Sequence, residues 1–268
     1  MDGQSTVTLR TRRKMPVLGL GTWQLTNETA GTIAKALEIG YRMIDTSGDY
    51  GTQPGIADGL RRGDVERSGV YIVTKVEEDE DSYESTHRNV AELGLEFADL
   101  MLVHRPPSSG AGVDLWRGLI RARDEGLTRD IGVSNYSTAQ IDELVDGTGE
   151  VPAVNQIEWT PFGWDRDMLE YCRAREIVIQ AYSPLTRRKR LDARVLKEIA
   201  GECGRTPAQV LLRWNLQLGT VPLPKANRLD HLEEDLAVFD FELRDEQMDR
   251  LERLNERWSS LGSSLQYV

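Results

Sequence analysis

Cysteine, lysine and histidine are all scarce in this 268-residue chain, and each scarcity excludes something. The two cysteines, Cys172 and Cys203, both fall in helical patterns. There is no disulfide framework, and a reducing, cytoplasmic setting is expected. The three histidines are His87, His104 and His231. They cannot build a histidine-rich centre, and no cysteine–histidine zinc spacing exists, so no metal is expected. No apolar run approaches the roughly 20 residues that cross a bilayer. The N-terminal stretch MDGQSTVTLRTRRK carries charge but no apolar h-region, so it does not read as a secretory signal. A P-loop and a G-x-S-x-G elbow are also missing. Gly19-Leu20-Gly21 begins a dinucleotide fingerprint, but Gln24 stands where the third glycine belongs. The fingerprint fails.

Positive charge is also in deficit. The net charge is -11, which argues against nucleic acid or an anionic membrane as a general partner. Only six of the 33 cationic side chains are lysines. Such a composition fits a salt-rich host or a biased genome equally well. Any anionic ligand needs a local basic pocket to overcome this field. The acidic run Glu77 to Asp81 lacks the glycine and spaced ligands of a calcium loop, and reads as solvated.

What is present is alternation. Val7–Leu9 and Met15–Val17 read as a hairpin that plugs a barrel end. Eight strand signals follow: Leu18–Thr22, Met43–Asp45, Val70–Lys75, Asp99–His104, Asp130–Val133, Val154–Glu158, Ile177–Ala181 and Val221–Leu223. Helical spacing separates each from the next. Two helices, Ala193–Cys203 and Ala208–Leu218, precede the last strand, and two more, Asp230–Ala237 and Asp245–Leu254, follow it. Thr206-Pro207 marks a helix start, with proline at the first helical position. Strands alternating with helices pair in parallel through right-handed crossovers, and eight of them close a ring. The expected fold class is therefore α/β, a (β/α)8 TIM barrel with an N-terminal β-hairpin and extra C-terminal helices. Residues 1–268 are expected to form one domain. The tail after Trp258, SSLGSSLQYV, is expected to be poorly ordered or draped over the site.

Barrel enzymes place their chemistry at the C-terminal tips of the strands. Asp45, Lys75 and His104 stand at three successive tips, and Tyr50 follows on a turn. Singly, each has a plain structural reading. The aspartate suits a turn, the lysine a strand exit to solvent, the histidine a bonded strand cap and the tyrosine a rim. Their convergence by one rule, on strands two to four, favours a site.

The segments MPVLGLGTWQL, IDTSGDYG, IVTK, VHRPP, EGLTRDIGVSNYS, VNQIEW, QAYSPL and VPLPKANRLDHLEEDLAVFDFEL resemble those of the aldo-keto reductases in order and spacing, over nearly the whole chain. The resemblance implies NADPH, with NADH possible, bound extended on a barrel without a Rossmann fold. It makes Asp45, Tyr50, Lys75 and His104 the catalytic tetrad. It places Ser134, Asn135 and Gln156 at the nicotinamide carboxamide, and Tyr182 against the nicotinamide face. Ser183 and Leu185 match pyrophosphate contacts, and Lys225 and Arg228 the adenosine phosphate. Thr22, Trp23, Ala226, His231, Glu234 and Asp235 fall in the same cofactor-binding segments. Ala226 replaces a common serine and His231 a common arginine, which weakens the case for the 2'-phosphate, while Lys225 keeps NADPH favoured. Trp23 is expected to line the substrate pocket. Glu77 and Arg105 replace two family tryptophans and would make that pocket more polar, while the loop from Arg105 to Gly112 and the C-terminal tail, both short for the family, would make it more open.

The residue types suit carbonyl reduction. Hydride delivery leaves charge on oxygen, which a donor must stabilise or protonate. Tyr50 is the expected acid, an ordinary phenol being too weak at a pKa of ~10. Lys75 is expected to lower that value, and Asp45 to hold the lysine. A neutral His104 is expected to hydrogen-bond the carbonyl oxygen. The expected partner is a small aldehyde, ketone or sugar, and the expected state a monomer. Two other readings stay open: a nicotinamide redox sensor with little turnover, and a lyase or isomerase using Lys75 as a Schiff base.

Overall fold

Apolar runs buried on both faces cannot stand in water, so they pair in parallel and cover themselves with their own crossover helices. The computed structural model describes residues 2–25, 28–262 and 265–268. The chain opens with β1 (Thr6–Thr8) and β2 (Lys14–Pro16), then β3 (Leu20–Gly21), α1 (Thr29–Ile39), β4 (Met43–Asp45) and α2 (Gln53–Arg62). Next come β5 (Tyr71–Val76), α3 (Ser82–Glu92), β6 (Ala98–Val103), α4 (Val113–Asp124), β7 (Thr128–Ser134) and α5 (Thr138–Thr148). β8 (Val154–Glu158), α6 (Arg166–Ala174), β9 (Val178–Tyr182), α7 (Arg194–Cys203) and α8 (Pro207–Leu218) follow. β10 (Val221–Leu223), α9 (Leu229–Leu236) and α10 (Asp245–Glu252) complete it.

Strands β3 to β10 pair in sequence order, all parallel. Two backbone bonds join the first to the last: Gly19 N to Pro222 O at 3.1 Å and Gly21 N to Pro224 O at 2.8 Å. Glycine is required here. A Cβ on Gly19 would lie 2.7 Å from the Leu223 side chain, and one on Gly21 3.1 Å from the Leu223 carbonyl. The β1–β2 hairpin pairs Val7 with Met15. Its Leu9 and Met15 pack on inward residues Met43, Val73, Leu100, Val154 and Val221, which plugs one barrel end. A larger apolar layer between strands and helices is built around Trp116, Trp159 and Trp214. No helix among the described residues is long and apolar enough to cross a membrane.

The expected strands and helices are all present; Met43–Asp45, Val154–Glu158 and Val221–Leu223 keep their expected bounds, and the other boundaries move by a residue or more. α2 starts earlier than its apolar pattern because Gln53 is buried by hydrogen bonds to Asn89, Glu92 and Thr74. Of three single 3-10 turns, Gly48–Tyr50 falls where a turn was expected, whereas Arg67–Gly69 and Thr186–Arg188 were not expected. One turn has no periodicity to read.

The tail folds against the barrel. Leu265 and Tyr267 are buried, and Tyr267 stacks on Trp159. Its hydroxyl donates to Glu158 O at 3.0 Å, while Ser259 Oγ and Ser260 N donate to the Glu158 carboxylate at 2.6 and 2.8 Å. Of the two expectations for the tail, draping is observed. Ser263 and Ser264 lie outside the described residues.

Candidate active site

β4 ends at Asp45, and the Gly48–Tyr50 turn brings the Tyr50 ring back over the strand tip. On the neighbouring strand Val73 pairs with Asp45, so Lys75 stands one side-chain repeat above it. Lys75 is 1% exposed, and its ammonium is held by Asp45 Oδ1 at 2.9 Å, Asp45 Oδ2 at 3.0 Å and Thr46 O at 2.7 Å. It lies 5.1 Å from the Tyr50 ring centre. His104 follows β6 and meets Tyr50 edge-on at 5.7 Å. Asp45, Tyr50 and His104 line one cavity of about 1110 Å³, with Lys75 directly behind them.

Burial acts against the Lys75 ammonium, but chiefly the charge and hydrogen bond of Asp45, joined by Tyr50, outweigh it and raise its pKa. It is a permanent cation at neutral pH. Tyr50 behaves otherwise than the sequence reading expected. Burial pushes its pKa up, Lys75 pulls it down, and Asp45 and Asp49 push it up again. The net shift is upward, because a phenolate here would be desolvated beside two carboxylates. Tyr50 therefore keeps its proton at neutral pH. A phenol that holds its proton until negative charge appears on a neighbouring oxygen suits a proton donor in reduction.

Amides and hydroxyls cluster at the same tip. Gln156 donates to Asp45 Oδ1 at 2.8 Å and to Gln180 Oε1 at 2.9 Å. Ser134 Oγ donates to Gln156 O at 2.8 Å. Asn135, at a left-handed φ of 64°, donates to His104 O at 3.3 Å and accepts from the Tyr182 hydroxyl at 2.8 Å. These groups line the cavity, as do Trp23, Ser183, Leu185, Lys225, Arg228, His231, Glu234 and Asp235.

Three expected contacts do not form its wall. Thr22 is fully buried and donates to Asp45 O, holding β4 from behind. Ala226 packs into the apolar cluster under α1 and α9. Glu77, expected in the substrate pocket, turns its carboxylate to His104 Nδ1 at 2.7 Å. That bond captures it because a half-buried carboxylate needs a donor. Trp23 and Arg105 do face the cavity. Arg105 approaches Glu78 at 3.7 Å and Glu77 at 4.0 Å.

The sequence reading missed the basic loop after β9. Arg187 and Arg188 line the cavity, and the Arg187 guanidinium sits 4.3 Å from the Trp23 ring centre. Ser183, Thr186, Arg187 and Arg188 all take positive φ, a costly backbone for non-glycine residues. The run TRRKR in so acidic a chain was the available signal. At the far end Arg228 is paired with Asp230 at 3.0 and 2.7 Å.

Asp235 is an orphan. It is 2% exposed, its Oδ2 has no partner among the described residues, and burial followed by the Glu234 charge pushes its pKa up to about 8. The folded state thus keeps a proton that the unfolded chain releases near pH 4, so stability falls as pH rises from about 4 to about 8. Asp235→Asn is expected to flatten this slope, gaining up to about 1.4 kcal/mol on wild type per pH unit. Urea unfolding at pH 5 and pH 8 checks it. An unchanged gap between the two proteins would refute it.

A family model described as the Aldo/keto reductase family matches residues 17–256. The chain belongs to the aldo-keto reductase family. An aldo-keto reductase of Mycobacterium tuberculosis is 40% identical over 257 residues, covering 93% of this chain and 91% of that protein. One from Mycobacterium leprae is 36% identical over 256 residues, covering 93% and 91%. The crystal structure of an aldo/keto reductase from Brucella melitensis superposes with a TM-score of 0.87 at 32% identity, over 93% of this chain and 99% of that one. The Bombyx mori aldo-keto reductase in complex with NADP gives 0.89 at 27%, over 96% and 94%. The (β/α)8 barrel of this aldo-keto reductase is thus shared with solved members of the family.

Proposed function

We propose that this aldo-keto reductase reduces small aldehydes, ketones or sugars with hydride from NADPH, Tyr50 giving the proton to the carbonyl oxygen. Lys75 carries this conclusion. A fully buried lysine gripped by both oxygens of Asp45 and set beside a phenol has no evident structural purpose. It places a fixed positive charge where an oxyanion develops.

The donor set fits an extended dinucleotide. Carboxamide-sized polar groups, Ser134, Asn135 and Gln156, sit at the catalytic end, and Arg187, Arg188, Lys197, Lys225 and Arg228 line the rest of the cavity. When bound, the reduced nicotinamide supplies the hydride. Tyr182 would present its ring to the nicotinamide, and the cations would hold the phosphates of the dinucleotide. The Bombyx mori relative with bound NADP supports the choice. Asp230 is a competitor for Arg228, so Lys225 is left as the freer cation for a 2'-phosphate.

The test is cofactor oxidation with a panel of aldehydes, ketones and sugars. NADPH is expected to turn over faster than NADH, across several small aldehydes. Asp230→Asn, which frees Arg228, should widen that preference several-fold. NADPH binding without turnover on any carbonyl would favour a redox sensor, and an NADH preference would overturn the cofactor assignment.

A further inference from the structure

Glu77 opens the acidic run EEDED, yet it leaves its neighbours and turns inward. Its carboxylate lies 2.7 and 2.9 Å from His104 Nδ1, nearly bidentate, with Ser47 Oγ donating to Oε1 at 3.0 Å. His104 is 7% exposed. Its Nε2 has no hydrogen-bond partner among the described residues, and the ring lines the cavity. A carboxylate only accepts, so a ring nitrogen bonded to it must carry the proton. A neutral ring with its proton on Nδ1 has a bare lone pair at Nε2 and cannot donate to a carbonyl there.

We infer that Glu77 and His104 form a dyad in which the carboxylate fixes a proton on Nδ1, so that the ring donates through Nε2 to the substrate oxygen as a charged imidazolium. The inference rests on the reading that His104 meets the carbonyl. It replaces the neutral ring expected from the sequence. Glu77 is a positioning residue, acting through His104 without touching substrate.

The surrounding charges agree. Asp49, from the turn after β4, brings a second carboxylate to 3.8 Å of Nδ1. Tyr50 faces the ring edge-on, and Lys75, behind Tyr50, is matched by Asp45. Arg105 is the one cation near Glu77 among the described residues, at the limit of pairing distance. Two carboxylates therefore face the ring, and the nearby cations have carboxylates of their own. Burial tends to raise the Glu77 pKa, but the His104 bond and charge, the Ser47 bond and Arg105 outweigh it, so Glu77 is held below the ordinary carboxylate range. It stays ionised through neutral pH. The dyad thus gives the developing oxyanion a cationic donor beside the Tyr50 phenol, which still supplies the proton.

The chain's three histidines make the ring directly observable. In ¹⁵N-labelled full-length protein, with His104→Asn used for assignment, both His104 nitrogens are expected to be protonated at neutral pH. In Glu77→Gln, which keeps the size and loses the charge, the ring is expected to become neutral. In parallel, kcat/KM for an aldehyde should fall in Glu77→Gln relative to wild type, and the loss should deepen as the pH rises. The KM for NADPH should not move. A wild-type His104 that is neutral and protonated on Nε2 overturns the dyad, and so does a Glu77→Gln profile that coincides with wild type. A wild type inactive on every carbonyl defeats the reductase reading instead, and the nitrogen signals then judge the dyad alone.

Discussion

Tyr50→Phe is expected to lower turnover of carbonyl substrates by roughly 10²–10⁴-fold, the span general acid catalysis ordinarily contributes. The substitution removes one hydroxyl and keeps the ring, so the edge-on contact with His104 and the ammonium beside the ring both persist. NADPH affinity is therefore expected to stay within about a factor of two or three, since Tyr50 is not among the cations along the cavity. Steady-state rates and a direct cofactor titration separate the two quantities. Equal loss of binding and turnover would mean that Tyr50 shapes the cavity and does not deliver the proton. Because burial and two carboxylates hold the phenol above its ordinary value, the loss should be uniform across the neutral range.

The second large effect is on stability. Asp45→Ala strands the Lys75 ammonium in the barrel with the Thr46 carbonyl and the neutral Tyr50 phenol as its remaining partners in the site. Removing one member of a buried pair costs about 3–5 kcal/mol, which corresponds to about 10 °C in Tm for a domain of this size. The stranded lysine escapes by shedding its proton, so the penalty should shrink as pH rises toward the ordinary lysine range. Asp45→Ala combined with Lys75→Met removes both charges, and should recover most of the stability while restoring no activity. Thermal unfolding of the three proteins at neutral and alkaline pH decides it. A single variant as stable as wild type would show that water reaches Lys75 and that the pair is not a buried one.

The candidate residues were legible because a polar residue that ends an apolar strand run announces itself against its neighbours. Asp45, Lys75 and His104 each do so, and the barrel follows from the alternation around them. Glu77 was not legible in the same way. Within Glu77 to Asp81 it has the composition of a solvated run, and Asp81 does cap α3 at the surface. Only three-dimensional proximity shows that one member faces a histidine from another strand. The Tyr50 shift was misjudged for a related reason: the sequence names the lysine partner but not the depth of burial or the approach of Asp49. The orphan carboxyl of Asp235 was assigned to the cofactor site, yet nothing local distinguishes it from Glu234. Arg187 and Arg188 were overlooked because a basic run on a loop reads as surface, until a cavity is found beneath it.

The two ends of this chain leave the barrel on opposite sides. The opening hairpin caps the floor, with Arg13 bonded to Asp130 near the start of β7, whereas the last residues lie at the mouth, where Leu261 and Gln266 border the cavity. A purification tag or fusion partner appended after Val268 would therefore crowd the mouth of the cavity and tug on the Tyr267 anchor. The same addition ahead of the hairpin would hang from the far face, out of reach of the chemistry.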